Sequence, residues 1–200
     1  MKKFTELTLA QYLEELSSRE PVPGGGSVSA YTASLAMGLT QMVGRVSLNR
    51  KKKAGLGPDE EKKENDNLQM IQKIVDSIEK SKKQAFQIVD LDPEIFETVM
   101  KASPEQMEDA LQNSFRLQAD LALLIVMARE GNSALADLVK GSIKNDLLVS
   151  ASLYEAAFHG AYHTAMFNVK YMKTPERKAH AEKAMQELQR RFERGNSNGR

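Results

Sequence analysis

Apolar residues recur three or four positions apart along almost the whole chain, and no segment sustains the alternation of a strand. Thr8 and Gln11 make a capping box for a short first helix ending near Ser18. A second helix, with Ser27 at its N-cap, is expected to run to about Lys53 and is crowded with small residues from Ser29 to Gly44. Pro58 suits the first turn of a third helix, which carries Leu68, Ile71, Val75, Ile78 and Ala85 on one stripe and should end near Val89. Asp92-Pro93 predicts the start of a short fourth helix. Ser103, Pro104 and Gln106 start a fifth that stops before Gly131. A further helical region spans Ser133 to Met172 with an interruption near Gly141, and Thr174-Pro175 opens a last helix that ends at Gly195. The expected fold is all-α: an antiparallel bundle of long helices joined by short turns, one domain over 1–195 with a disordered tail over 196–200.

Exposed stripes on such a bundle, the small-residue face of the second helix and the apolar run Leu117–Ala128 together predict a homodimer. Lys and Arg number 28 against 27 Asp and Glu, a net charge of +1 that makes no electrostatic case for nucleic acid. Zero cysteines exclude disulfides and thiolate metal sites. No run of eighteen apolar residues and no secretory signal is present, so the expected location is cytoplasmic with no membrane partner.

Candidate chemistry concentrates at Pro23, Gly24, Gly25, Gly26 and Ser27. Glycines ahead of a helix let backbone N–H groups approach a ligand, and a helix N-terminus favours negative charge. A tight turn packed against a neighbouring helix explains the triplet equally well. The spacing is neither a dinucleotide fingerprint nor a P-loop. Asp92, with Asp90 just upstream, reads either as a helix cap or as a carboxylate able to take a proton. Glu155, His159 and His163 share a helix face at metal-ligand spacing, but solvated or packed histidines account for them better, and no metal is expected. Arg50 and Lys51 fit either a helix C-terminus or the carboxylates of an anionic ligand. Asp120 interrupts the most apolar run and is either buried with partners or at the edge of that face. Asn145, Asp146 and Asn168 serve either core hydrogen bonds or a heterocycle edge.

Several of these segments resemble one family. Pro23-Gly-Gly-Gly-Ser27 followed by Val28-Ser29-Ala30, Met42-Val43 and Arg50-Lys51 is similar to the opening of the folate cyclodeaminase and cyclohydrolase family. Asp92-Pro-Glu-Ile-Phe96, Asn145-Asp146-Leu, Gly160-Ala-Tyr162 and Phe167-Asn168-Val169 extend the likeness over most of the chain. The chain departs from the family at Thr164, where the first of two asparagines spaced four apart is usual, at Asn145, where the pair with Asp146 begins with Ser, and at Asp120, where proline is usual.

The resemblance implies a helical dimer acting on a folate bridged by one carbon between N5 and N10, without metal or redox cofactor. It implies Asp92 as general base and Asp146 or an amide such as Asn168 at the pterin edge, with Thr164 among the residues that bind the substrate. The glycine turn and Ser27 would contact the ligand, and Arg50 and Lys51 its glutamate tail. The absence of a formiminotransferase segment and the Asn168–Lys173 stretch lead to an expectation of methenyltetrahydrofolate hydrolysis to the 10-formyl form. The alternatives are formiminotetrahydrofolate cyclodeamination and a noncatalytic dimer that binds folate or a protein partner.

Overall fold

A computed structural model of the chain describes residues 3–50, 55 and 57–197. After a 3-10 turn at Phe4–Glu6, six helices follow: α1 (Leu9–Leu16), α2 (Gly25–Leu48), α3 (Pro58–Lys101), α4 (Met107–Leu138), α5 (Lys144–Tyr171) and α6 (Pro175–Ser197). No strand occurs among the described residues. The all-α bundle expected from the sequence is the observed architecture. The capping box of α1 forms as expected, with Thr8 and Gln11 each bonded to the other's backbone N–H.

Helices α2 to α5 form the bundle, each packed on two neighbours in the cycle α2–α3–α4–α5, and α6 lies across α4 and α5. Their directions follow from side-chain contacts. Gly25 approaches Thr164 at one end of α2 and Arg50 approaches Gly141 beyond the other, so α2 and α5 are antiparallel. Gly26 against Asp92 and Gly44 against Val75 establish the same for α2 and α3. The small residues of α2 serve close packing: a Cβ at Gly44 would lie 2.4 Å from Val75 Cγ2. Gly160 of α5 does the same against Ser29, at 2.2 Å from its Oγ. The core includes Met37, Ile78, Leu121, Ile125, Leu147 and Phe158, all essentially fully buried. It also holds a polar knot: Thr40 Oγ1 lies 2.6 Å from Ser150 Oγ, 2.9 Å from Asn132 Oδ1 and 3.1 Å from the Tyr154 hydroxyl. Burial pushes the Tyr154 phenol above its ordinary range. Arg129 fastens α6 by donating to the Phe192 carbonyl at 2.6 Å and lying over the Phe192 ring.

Four expected helix boundaries fall elsewhere. Helix α3 runs through Asp92-Pro93 to Lys101, so no separate helix begins there. Helix α4 continues past Gly131, whose φ is not positive, to Leu138, and the break comes at 139–143, at the interruption expected near Gly141, which has φ +89°. Helix α2 stops at Leu48, and α6 continues past Gly195 to Ser197. Among the described residues no helix is long and apolar enough to cross a membrane.

Candidate functional site

Gly24 is the N-cap of α2, and Ser27 sits three residues later inside the first turn. The expected N-cap role of Ser27 is corrected by its partners, which hold both its polar groups on α3. Its backbone N–H donates to Asp92 Oδ2 at 2.9 Å, and its hydroxyl donates to the Val89 carbonyl at 2.9 Å. The first N–H groups of a helix have no partner within it. Asp92 therefore caps a helix, but the helix is α2 and not its own.

Pro93 lies inside α3 and has no N–H to give to the carbonyl four residues back. That carbonyl belongs to Val89, the one Ser27 satisfies. The Tyr12 hydroxyl lies 3.3 Å from Ser27 Oγ, with its ring against Tyr31, so α1 closes over the clamp. Burial raises the Tyr12 phenol despite the hydrogen bond with Ser27. Asp90, expected near the site, is spent elsewhere: it accepts from the Phe4 and Thr5 N–H groups and the Thr5 hydroxyl, pinning the N-terminal turn.

The second oxygen of Asp92 accepts from Gln118 Nε2 at 2.7 Å. Gln118, on α4, is completely buried and was not singled out in the sequence because it sits in an otherwise apolar run. Burial raises the affinity of Asp92 for a proton, while the bonds from Ser27 and Gln118 oppose that shift. The positive end of the α2 dipole acts in the same sense as those bonds. Asp92 is a half-buried carboxylate held through both oxygens, not a solvated cap.

The glycines owe their presence here to space: none of the three has a positive φ. Pro23 and Gly26 are buried and Gly25 is exposed. A Cβ on Gly26 would lie 2.1 Å from Asp92 Oδ1 and 2.3 Å from Gln118 Nε2. On the α5 side, Thr164 Oγ1 would be 3.7 Å from a Cβ on Gly25 and donates to the Gly160 carbonyl at 2.9 Å. Asn168 Nδ2 donates to the Thr164 carbonyl at 3.0 Å. Pro23 to Ser27, Asp92, Thr164 and Asn168 thus gather at one end of the bundle.

Arg50 and Asp146 are not part of that cluster. Arg50 follows the C-terminus of α2, about 36 Å from the glycines for a 24-residue helix. It donates to the Lys140 carbonyl, a structural tie across the α4–α5 connection. Asp146 lies in the first turn of α5, at the same far end. Lys51 lies outside the described residues. Asp120 is exposed, which answers the question its sequence position raised: it marks the edge of the apolar face. With Ile95, Thr98, Asn113, Arg116 and Leu117 it lines a groove of about 410 Å³ between α3 and α4. Glu155 pairs with Arg129 at 3.8 Å while His159 packs by Phe158 and Phe192, and no group of three or more metal-ligating side chains forms among the described residues.

The family model for formiminotransferase-cyclodeaminase matches residues 8–187. This chain belongs to the formiminotransferase-cyclodeaminase family. The formimidoyltransferase-cyclodeaminase of Gallus gallus is 26% identical over 175 residues, covering 81% of this chain and 30% of that protein. The Rattus norvegicus protein of the same name is 24% identical over 180 residues, covering 84% of this chain and 31% of its own length. The chain thus spans about a third of the curated relatives it matches. The crystal structure of formiminotetrahydrofolate cyclodeaminase from Thermotoga maritima superposes with a TM-score of 0.86 at 23% identity, over 96% of this chain and 93% of that one, which establishes the fold.

Proposed function

We propose that the chain is a formiminotetrahydrofolate cyclodeaminase with Asp92 as its proton-transfer group. The observation that carries this reading is the Asp92 carboxylate, half-buried, held through both oxygens at the glycine corner and raised in proton affinity by burial. A general base works best when its affinity for a proton lies near the operating pH. The names of the family and its relatives favour cyclodeamination over the hydrolysis expected from the sequence.

In the reaction, N10 of the substrate attacks the formimino carbon on N5. The N10–C bond forms, the C=N π electrons go to the imine nitrogen, and the proton on N10 passes to Asp92. Returning that proton to the former imine nitrogen, with a further proton from solvent, lets ammonia leave with the C–N bonding pair. The product is the bridged 5,10-methenyl cation. A nearby carboxylate stabilises that positive charge as it forms. Exposed Gly25 and half-buried Thr164, whose carbonyl accepts from buried Asn168, form the surface on which the pterin would lie. Hydrolysis of the bridged cation at the same carboxylate is the second reading, since both reactions pass through that species.

We further propose that the working unit is a homodimer paired across α2. Leu35, Met42 and Val46 follow one another along its exposed side, and Gly38 at the middle of that stripe has open space where a Cβ would be. A two-fold axis there would run the two α2 helices antiparallel and bring the Arg50 and Asp146 end of one copy toward the glycine corner of the other. Light scattering should give a dimer, and Gly38→Arg a monomer. A monomeric wild type removes this part of the proposal.

The deciding assay follows ammonia release from 5-formiminotetrahydrofolate together with appearance of the methenyl chromophore. Equal amounts of both, lost at least about a hundredfold in Asp92→Asn, support the cyclodeaminase. Loss of added methenyl chromophore without ammonia chemistry supports the hydrolase. Folate binding with neither turnover supports a noncatalytic binding protein.

A further inference from the structure

We infer that Gln118 is a positioning residue, whose amide fixes the Asp92 carboxylate under the glycine corner and keeps it in the proton-accepting form. This rests on the reading of Asp92 as the proton-transfer group. Among the described residues the Gln118 side chain makes one hydrogen bond, Nε2 to Asp92 Oδ1, and its carbonyl oxygen Oε1 is buried without a partner. A buried amide oxygen left unsatisfied costs on the order of 1–3 kcal/mol, so most buried amides are arranged to avoid it. The arrangement here has a clear cause. A carboxylate only accepts, so the amide must turn its NH₂ toward Asp92, and the carbonyl is left without a donor. Stability alone would favour an apolar side chain of the same volume, or a protonated Asp92 donating to a flipped amide. Gln118 is held in the orientation that an ionised carboxylate demands.

The geometry gives the same result from the other side. Gly26 leaves room for the Asp92–Gln118 pair, since a Cβ there would strike both partners. Ser27 N–H holds Oδ2, so the two donors fix the carboxylate plane. Gln118 does not touch the substrate in this scheme; it acts through Asp92.

Two variants test this against a merely structural role. Gln118→Met keeps the volume and removes the donor. Gln118→Glu keeps the shape and hydrogen-bonding reach but places a second carboxyl beside Asp92, where the pair shares a proton. The primary readout is titration of Asp92 by carbon-13 NMR of labelled aspartate in the free, folded protein, which needs no turnover. Asp92 should titrate at least about one pH unit higher in Gln118→Met, the scale of a lost charged hydrogen bond. The acid limb of kcat/KM should rise by the same amount, so that turnover below the limb falls about tenfold. Gln118→Glu should be the more impaired of the two at neutral pH, although it is nearly isosteric with glutamine. An unchanged Asp92 titration in folded Gln118→Met overturns the role of Gln118 whatever activity does. A titration that moves while the acid limb stays in place overturns Asp92 as the base, and with it the catalytic part of this inference. Gln118→Glu retaining near wild-type turnover at neutral pH also overturns it.

Discussion

Ser27 and Val89 meet through a hydrogen bond that Pro93 makes necessary. The proline removes the N–H that would have served the Val89 carbonyl inside α3, and the Ser27 hydroxyl supplies the replacement at 2.9 Å from across the helix pair. The same residue gives its backbone N–H to Asp92 one turn along. A helix that ought to break at Asp92-Pro93 therefore continues, because a second helix end is docked where its ladder has a gap.

The link predicts a coupled pair. Ser27→Ala should cost about 1–3 kcal/mol, the scale of a buried carbonyl left unsatisfied. Pro93→Ala restores an N–H for Val89 within the helix, so Ser27→Ala should cost less in that background. A double-mutant cycle by urea unfolding measures the coupling. Additive costs within about 0.3 kcal/mol would show that the two residues act independently.

This coupling also explains what the chain disclosed in advance and what it withheld. Helical periodicity is local, so α1, the stripe of α3 and the start of α6 were readable from Thr8, Ile71 and Pro175. The glycine corner and Asp92 were readable as candidates from residue type. Their relationship was not, since it depends on residues 65 apart in sequence meeting across α2 and α3. The break expected at Asp92-Pro93 failed for that reason: local proline chemistry was overruled by a tertiary donor. Gln118 is legible only as an interruption of an apolar run, because nothing there distinguishes a buried amide facing a carboxylate from one at a helix edge. Arg50 belongs to the same family-like opening of the chain, but within one copy α2 separates it from the glycines by a full helix length.

Gly26→Ala should separate stability from function. The new methyl group lands on Asp92 Oδ1 and Gln118 Nε2, the ends of side chains that can swing aside only by giving up each other. Overpacking of this kind costs about 1–3 kcal/mol, so the variant should fold. Its turnover should fall far more than its stability, approaching that of Asp92→Asn. Gly160→Ala is the comparison away from Asp92: it meets the Ser29 hydroxyl, which can rotate away at the loss of one bond to the Gly25 carbonyl, and the Ser29 Cβ at 3.3 Å, which needs a small backbone shift. Urea midpoints and kcat measured together check the contrast, and near-normal turnover in Gly26→Ala would count against a tightly packed carboxylate.

Glu79 should govern part of the acid sensitivity of the fold. It accepts from buried Gln41 and pairs with Lys82 at 3.0 Å, with Arg45 and Lys83 nearby, and these contacts lower it to about 2. A carboxylate with a folded value below its unfolded one adds stability above the unfolded value and loses it as pH falls. The loss therefore runs from the ordinary glutamate value of 4.5 down to about 2. Glu79→Gln should be less stable than wild type at neutral pH, with the difference shrinking across that window. Thermal unfolding of both proteins from pH 7 to pH 2 would show it; a constant difference would assign the acid response elsewhere.

Asp92→Asn should lose turnover without losing stability. Its amide oxygen can still accept from the Ser27 N–H. Its NH₂ then faces Gln118, whose amide can turn over and accept through the oxygen that has no partner in the wild type. The substitution thus removes a partly desolvated charge and satisfies a buried carbonyl together. The sign of the pH dependence follows from the raised proton affinity of Asp92. A carboxyl that binds its proton more tightly in the folded state makes the wild type gain stability as pH falls through the folded value, levelling off below the unfolded one. The variant lacks that gain, so its advantage should be largest at neutral pH and fade in acid. Its Tm at pH 7 should equal or exceed the wild-type value, with each kcal/mol worth about 2–4 °C in a chain of this size. A Tm several degrees below wild type at pH 7 would mean that the ionised carboxylate stabilises the fold, and that its place at the α2 N-terminus is explained by capping alone.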